Sequence, residues 1–280
     1  MNLEEEYKNH LALYDIPFYK ESSCLAYDDS TLFCPAGMQK YKADFLNTSI
    51  QNKTVGNIQK CLRLNDLNEL GDGTHFGIFQ MMGLFSFRHM TVRDTINLWI
   101  SFLNKISIKI DYVTIHPLMK SWKEYYSPYD IEVREDDECK WTDGNVGGYC
   151  TEFFHDNIEI GNIVNPLGTC IDVGFGFDRL NNIVNQPVQK TRLQCLYDIC
   201  DELIKEGIRP SANKHGYILR KILRDIVIAN GIYDHPYFVE EQKRQSMLED
   251  KYKRLKDKYP NKSFEWWKDT HGIDLNLITP

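Results

Sequence analysis

Asp172 and Arg179 bracket the run Ile171-Asp-Val-Gly-Phe-Gly-Phe-Asp-Arg179, in which small residues alternate with apolar ones. One carboxylate and one guanidinium placed this way suit a zwitterion together with a phosphate. Gly174 and Gly176 remove side chains where another backbone or a ligand must come close. Such a run lets a strand and the helix after it close over a nucleotide. Read alone, the blander interpretation is the stronger one: a bulge or packing contact, with Asp172 as a turn or capping residue.

Earlier in the chain, Gln59-Lys-Cys-Leu-Arg63 reads as a strand ending in an arginine, followed by a polar loop from Asn65 to Gly73 and an apolar strand from Ile78 to Phe87. A hairpin of this kind can aim Arg63, His75 and Phe79 at one ligand, with guanidinium and imidazole on phosphate and the ring on a base. An ordinary hairpin with a surface arginine and a core phenylalanine remains the alternative.

The elements that must position these groups fall into two stretches. Residues 1 to about 187 mix strand-like runs, such as Ile106 to Ile115, with turn clusters at Asp143-Gly-Asn and Val146-Gly-Gly, which predicts an α+β domain. Residues 188–280 read as helical. Leu196, Cys200 and Leu203 recur at helical spacing, a second helix is expected over Lys214 to Ala229, and a third, Val239 to Tyr259, carries the stripe Leu248, Tyr252, Leu255, Tyr259.

At 280 residues the chain can bury a full core. Its 42% hydrophobic and 12% aromatic content is that of a soluble globular protein. No apolar run approaches the roughly 18 residues of a membrane span, and the Glu-rich segment Met1 to His10 lacks a signal pattern, so a cytoplasmic protein without a membrane partner is expected. Eight cysteines show neither a CxxC pair nor a His pair at zinc spacing, which predicts free thiols and no zinc. The net charge of −7 argues against indiscriminate nucleic-acid binding. Residues 190–260, however, carry fifteen Lys/Arg against eleven Asp/Glu, a balance compatible with a structured RNA partner or with solvated helices alone.

Several segments, in order, resemble the alanyl-tRNA synthetases. Phe33-Cys-Pro-Ala-Gly-Met-Gln39 with Lys42 is similar to that family's first motif region. Gln59 to Arg63, Asn65-Asp-Leu67 and Phe79 to Phe87 are similar to its second, and Asp172 to Arg179 to its third. Cys150-Thr-Glu152 and Glu159 to Val164 resemble the wall of its amino-acid pocket. Gly207 to Leu223 and Trp267 to Leu275 resemble its helical tRNA-recognition region.

The resemblance implies a class II synthetase-like antiparallel sheet flanked by helices, then a helical domain, with ATP, Mg²⁺ and a small amino acid as ligands. It implies Arg63 and Arg179 as catalytic residues on the phosphates; His75, Phe79, Met81, Gly174 and Gly176 about ATP; and Trp141, Asn162, Asp172 and Gly174 about the amino acid. No metal ligand from the protein is implied. Asn213, Lys214, Arg220, Arg224 and Asp269 would meet a tRNA acceptor stem. Some positions depart from the family. Thr74 stands at an arginine position, Gly161 at a tryptophan, which would reshape the pocket, and Ala212 at an asparagine; the loop before Ile78 is shorter. A compact form without the editing and C-terminal domains is expected. These departures keep open a carrier protein or small metabolite as acceptor, or a non-catalytic sensor of amino acid or tRNA.

Overall fold

The computed structural model describes residues 1–275, which divide into two compact units. The first comprises Met1–Asn65 and Ile78–Gln189, the second Asp66–Gly77 and the chain from Lys190 onward. Asp66–Gly77 groups with the second because its backbone is fastened there: Arg192 Nη1 donates to Leu67 O at 2.6 Å. Gly71, at φ +93°, also lies so close to Arg192 that a Cβ would sit 2.8 Å from its backbone nitrogen.

The first unit is α+β. Its strands are β1 (Phe18–Glu21), β2 (Lys53–Leu62), β3 (Ile78–Phe87), β4 (Tyr112–Ile115), β5 (Glu132–Glu135), β6 (Lys140–Asp143), β7 (Val146–His155), β8 (Ile158–Val164) and β9 (Cys170–Gly176). Its helices are α1 (Leu3–Ala12), α2 (Lys42–Leu46), α3 (Val92–Lys105), α4 (Lys123–Tyr126) and α5 (Phe177–Val184). The sheet runs β1-β2-β3-β9-β8-β7-β4-β5, with β6 paired to β7. The central pairs are antiparallel as expected, while β1 and β5 join the ends in parallel.

Strand alternation gives the sheet two unlike faces. One carries Ile58, Met82, Leu84, Ile163, Ile171, Val173 and Phe175, packed in one core with Tyr7 and Leu11 of α1 and Ile96, Trp99 and Phe102 of α3. Phe175 stacks on Trp99 with centroids 4.1 Å apart. Helix α3 forms here because Thr91 and Asp94 make a capping box and because Val92, Ile96, Trp99 and Leu103 fall on one side. On the other face Val55, Phe85, Phe87 and Cys170 are covered by Met38, Tyr41 and Phe45, and beside them that face carries the polar residues Asn57, Gln59, Asp172 and Asn162.

The expected strand Ile106 to Ile115 is shorter in the structure. Ser107 takes φ +61° and Ile108 N donates to Leu103 O, so Ile106 and Ile108 end α3 and plug the core while only Tyr112–Ile115 pairs.

In the second unit, α6 (Arg192–Lys205), α7 (Lys214–Ile228), α8 (Pro236–Lys256) and α9 (Phe264–His271) follow Asp66–Gly77. The stripe expected on α6 is buried, as are Leu219, Ile222, Leu223 and Ile226 of α7. The stripe of α8 is only half-buried, and that helix buries Phe238, Glu241 and Gln245 instead.

Candidate active site

The polar face of the sheet is assembled by strand register. Asn57 pairs with Gly83, Gly83 with Gly174 and Gly174 with Asn162, so these four share one row across β2, β3, β9 and β8. The adjacent row runs Val55, Phe85, Asp172, Val164. Met81 lies opposite Gly176 and Gln59, and Phe79 lies opposite Cys61. A one-residue slip would send all of these into the α1/α3 core, so burial of the opposite face fixes the site.

Asp172 is buried, and none of the described groups hydrogen-bonds its carboxylate. Burial pushes that carboxyl up to about 7, so near neutrality it lacks a compensating cation. An ammonium group brought there would supply one.

Arg63 follows β2, where its Nε donates to Pro35 O at 2.9 Å and its guanidinium lies 5.1 Å from the Phe79 ring centroid. One terminal nitrogen of Arg179, on α5, donates to Glu159 O at 2.7 Å. Helix α5 is tied to the sheet by Asp178, which accepts from Gln80 N at 2.6 Å. The glycines serve as close-approach points: a Cβ on Gly174 would fall 2.9 Å from Met81 Sδ, and one on Gly176 3.3 Å from Arg179 Cδ. Asn162 donates its amide to Glu159 Oε1 at 3.4 Å, and Trp141 packs half-buried against both Met38's cluster and Cys150's.

His75 belongs to the second unit, where Nδ1 meets Asp72 Oδ2 at 2.6 Å and Nε2 meets Glu69 Oε2 at 3.2 Å. Both ring nitrogens are therefore engaged by carboxylates, and a phosphate would have to displace one of them.

Gly161 does not open the polar face. It pairs with Phe175, and a Cβ there would lie 2.3 Å from Phe175 Cγ, so its absence accommodates the Phe175–Trp99 stack in the core. The reshaped pocket expected from this position is thus a change of core packing.

Sequence reading missed Asn57. It is fully buried, with neither amide atom partnered, and its Oδ1 lies where a Cβ on Gly83 would come within 2.5 Å. Its signal is a polar residue at even spacing with Gln59 and Cys61, between the apolar Val55 and Ile58.

In the second unit, Asn213 precedes α7 without a side-chain cap bond, Lys214 is exposed at φ +50°, and Arg220 is half-buried. Arg224 lines a cleft of about 220 Å³ with Tyr217, Gln245, Leu248, Lys268 and Asp274, and its Nε is buried without a partner. Asp269, on α9, is exposed.

One face of the sheet is thus apolar, and the other bears Asp172, Gly174 and Gly176 with Arg63 and Arg179 at its margins, where β9 passes into α5. The sequence profile of the family described as "tRNA synthetases class II (A)" matches residues 6–163, and the chain belongs to that family. Among characterised relatives it is similar to the Alanine--tRNA ligase of Buchnera aphidicola subsp. Baizongia pistaciae, at 28% identity over 70% of this chain and 32% of that protein. It is also similar to the Alanine--tRNA ligase of Endomicrobium trichonymphae, at 27% identity over 88% of this chain and 37% of that protein. The chain spans about a third of the length of these relatives. Among solved structures, apo S. aureus histidyl-tRNA synthetase aligns over 88% of this chain and 82% of its own, with TM-score 0.44 and 11% identity.

Proposed function

We propose that this protein activates a small amino acid, alanine foremost, as its adenylate at the expense of ATP and transfers the aminoacyl group to tRNA. The observation that carries the reading is Asp172: a buried carboxylate without a described partner, one row from the Asn57–Gly83–Gly174–Asn162 lane and on the same face as Arg63 and Phe79. In the reaction a carboxylate oxygen of the amino acid attacks the α-phosphorus of ATP, the bond to the β-phosphate oxygen breaks, and pyrophosphate leaves. No protein nucleophile is needed; orientation and charge stabilisation suffice.

Asp172 holds the ammonium, and Asn162 and Trp141 bound the amino-acid side. Arg63, whose Nη atoms extend beyond the Pro35 anchor, meets the substrate carboxylate and the α-phosphate. Phe79 faces the base beside Met81, Gly174 and Gly176, and Arg179 meets the outer phosphates. Mg²⁺ asks for oxygen donors, and the face offers Glu159, whose carboxylate receives the Asn162 amide. When bound it would neutralise the phosphate charge. In the helical unit Asn213, Lys214, Arg220, Arg224 and Asp269 would contact the acceptor stem, the cations on phosphate and Asp269 on a base edge. A cytoplasmic location fits these substrates.

Incubation with ATP, labelled alanine and total tRNA tests the transfer step. Label in acid-precipitable RNA is expected. Adenylate formed without any charged RNA would remove tRNA as acceptor and turn the reading to a carrier protein or small metabolite, which Ala212 and the short 63–77 connection already motivate.

A further inference from the structure

The β6–β7 hairpin brings together residues that no short motif announces. Its register, Lys140 opposite Tyr149, continues one step to set Cys139 opposite Cys150, whose N–H donates to Cys139 O at 3.0 Å. Glu152 lies two residues further along β7 on the same face, directly opposite Thr114 of β4. One ligand atom from each of Cys139, Cys150 and Glu152 lies within 4.8 Å of the others. Cys150 Sγ is 3.9 Å from Glu152 Oε1. The Thr114 hydroxyl ties the group together, taking a hydrogen bond from Cys139 Sγ at 3.0 Å and donating to Glu152 Oε2 at 3.1 Å. In a tetrahedral zinc site the S···S and S···O separations are roughly 3.5–3.8 Å, a contraction that small side-chain rotations supply.

Burial and acidic neighbours favour the protonated, uncharged forms of these groups when no ion is bound. Both cysteines are buried. A hydrogen bond from the Cys150 thiol to Cys139, then burial and the charge of Glu152, push the Cys150 thiol far up. Burial, then Glu159, raise the Glu152 carboxyl, with Asp136 adding to the effect. The charged neighbours weighing on Glu152 are thus themselves acidic. A divalent ion inverts this balance, because it stabilises the deprotonated thiols and carboxylate that the site otherwise disfavours.

We propose that Cys139, Cys150 and Glu152 are the three protein ligands of a zinc ion. Two sulfur donors select zinc over magnesium or calcium. Three protein donors leave one coordination position for an exchangeable ligand, the pattern of sites that act on bound molecules rather than of closed structural sites. Thr114 holds the ligand carboxylate from behind. Glu152 is in register with Asn162 and, through it, with Gly174, so the ion sits on the same sheet face as Asp172. Binding displaces the thiol protons, and affinity therefore rises with pH.

The test is metal analysis of the full chain purified without chelator from zinc-supplemented cells, followed by replacement with Co²⁺. About one zinc per chain is expected, and the cobalt form should show thiolate-to-metal charge-transfer absorption with tetrahedral d–d bands. The double variant Cys139→Ser/Cys150→Ser should lose both signals. Glu152→Gln should weaken zinc by more than the roughly 10- to 100-fold that loss of a supporting residue costs. Should the double variant fail to fold, chelator titration of the cobalt-loaded parent, with circular dichroism in parallel, reads the same thiolate bands. Wild-type protein that retains no zinc when excess is supplied would overturn the proposal. So would cobalt spectra without thiolate character, or a Cys139–Cys150 disulfide that persists under reduction with zinc present.

Discussion

In the sheet unit the polar groups owe their places to strand register, whereas in the helical unit the basic residues ride on helix surfaces. Asn57, Gly83, Gly174 and Asn162 cannot move singly, because each is one rung of a ladder whose reverse side is the Trp99–Phe175 core. Lys214 and Asp269 are exposed and bear on no such ladder. Substitutions in the first region should therefore act through geometry and desolvation, with large effects. Those in the second should act through screened charge, with small and salt-dependent effects.

The largest effect is predicted for Arg63→Ala. One lost charge-assisted contact to the reacting phosphate should slow adenylate formation on the order of 100- to 1,000-fold. Single-turnover assays, with circular dichroism to confirm the fold, read this; a rate within tenfold of the parent would remove Arg63 from the chemistry.

Gly83→Ala comes next. The new Cβ would lie 2.5 Å from Asn57 Oδ1 and 2.6 Å from Phe85 Cζ, an overpacking predicted to cost about 1–3 kcal/mol in denaturant unfolding. An unchanged midpoint would mean that the lane is looser than its register implies.

Asp172→Asn is predicted to stabilise the ligand-free protein while raising its amino-acid requirement. With the folded carboxyl up at about 7 and an ordinary unfolded value near 3.9, the native state carries a penalty above pH 7 that is relieved as pH falls toward about 4. The variant lacks that penalty. It should be more stable by roughly 1–3 kcal/mol at pH 8, with the gain vanishing at acid pH. Thermal melts across pH check this, and a gain independent of pH would show that the carboxylate is solvated.

The smallest effect concerns α9. Asp269→Ala should leave adenylate formation within about twofold of the parent, since exposed charges contribute little locally. Reversing Lys214 and Arg220 should lower tRNA binding and flatten its salt dependence. Binding that ignores both charge and salt would detach the helical unit from RNA.

Much of this was legible in the sequence because the informative residues are punctuation or charge at fixed offsets. The Arg63 hairpin, the glycines near Asp172 and the α6 stripe each follow from period or spacing. Gly161 misled because its identity says nothing of face; only pairing with Phe175 assigns it to the core. His75 was assigned a phosphate without sight of Asp72 and Glu69, which hold it in place. Cys139 and Cys150 escape a search for CxxC because hairpin register, rather than short spacing, brings them together. Helix α3 was missed although Thr91 and Asp94 spell its cap.

The adenylation reading stands or falls on amino-acid-dependent exchange of pyrophosphate into ATP, measured for all twenty amino acids with the wild-type chain. The account predicts exchange that requires a small amino acid, strongest with alanine, and that Arg63→Ala suppresses it. Folded, ATP-supplied protein giving no exchange with any of them would contradict it.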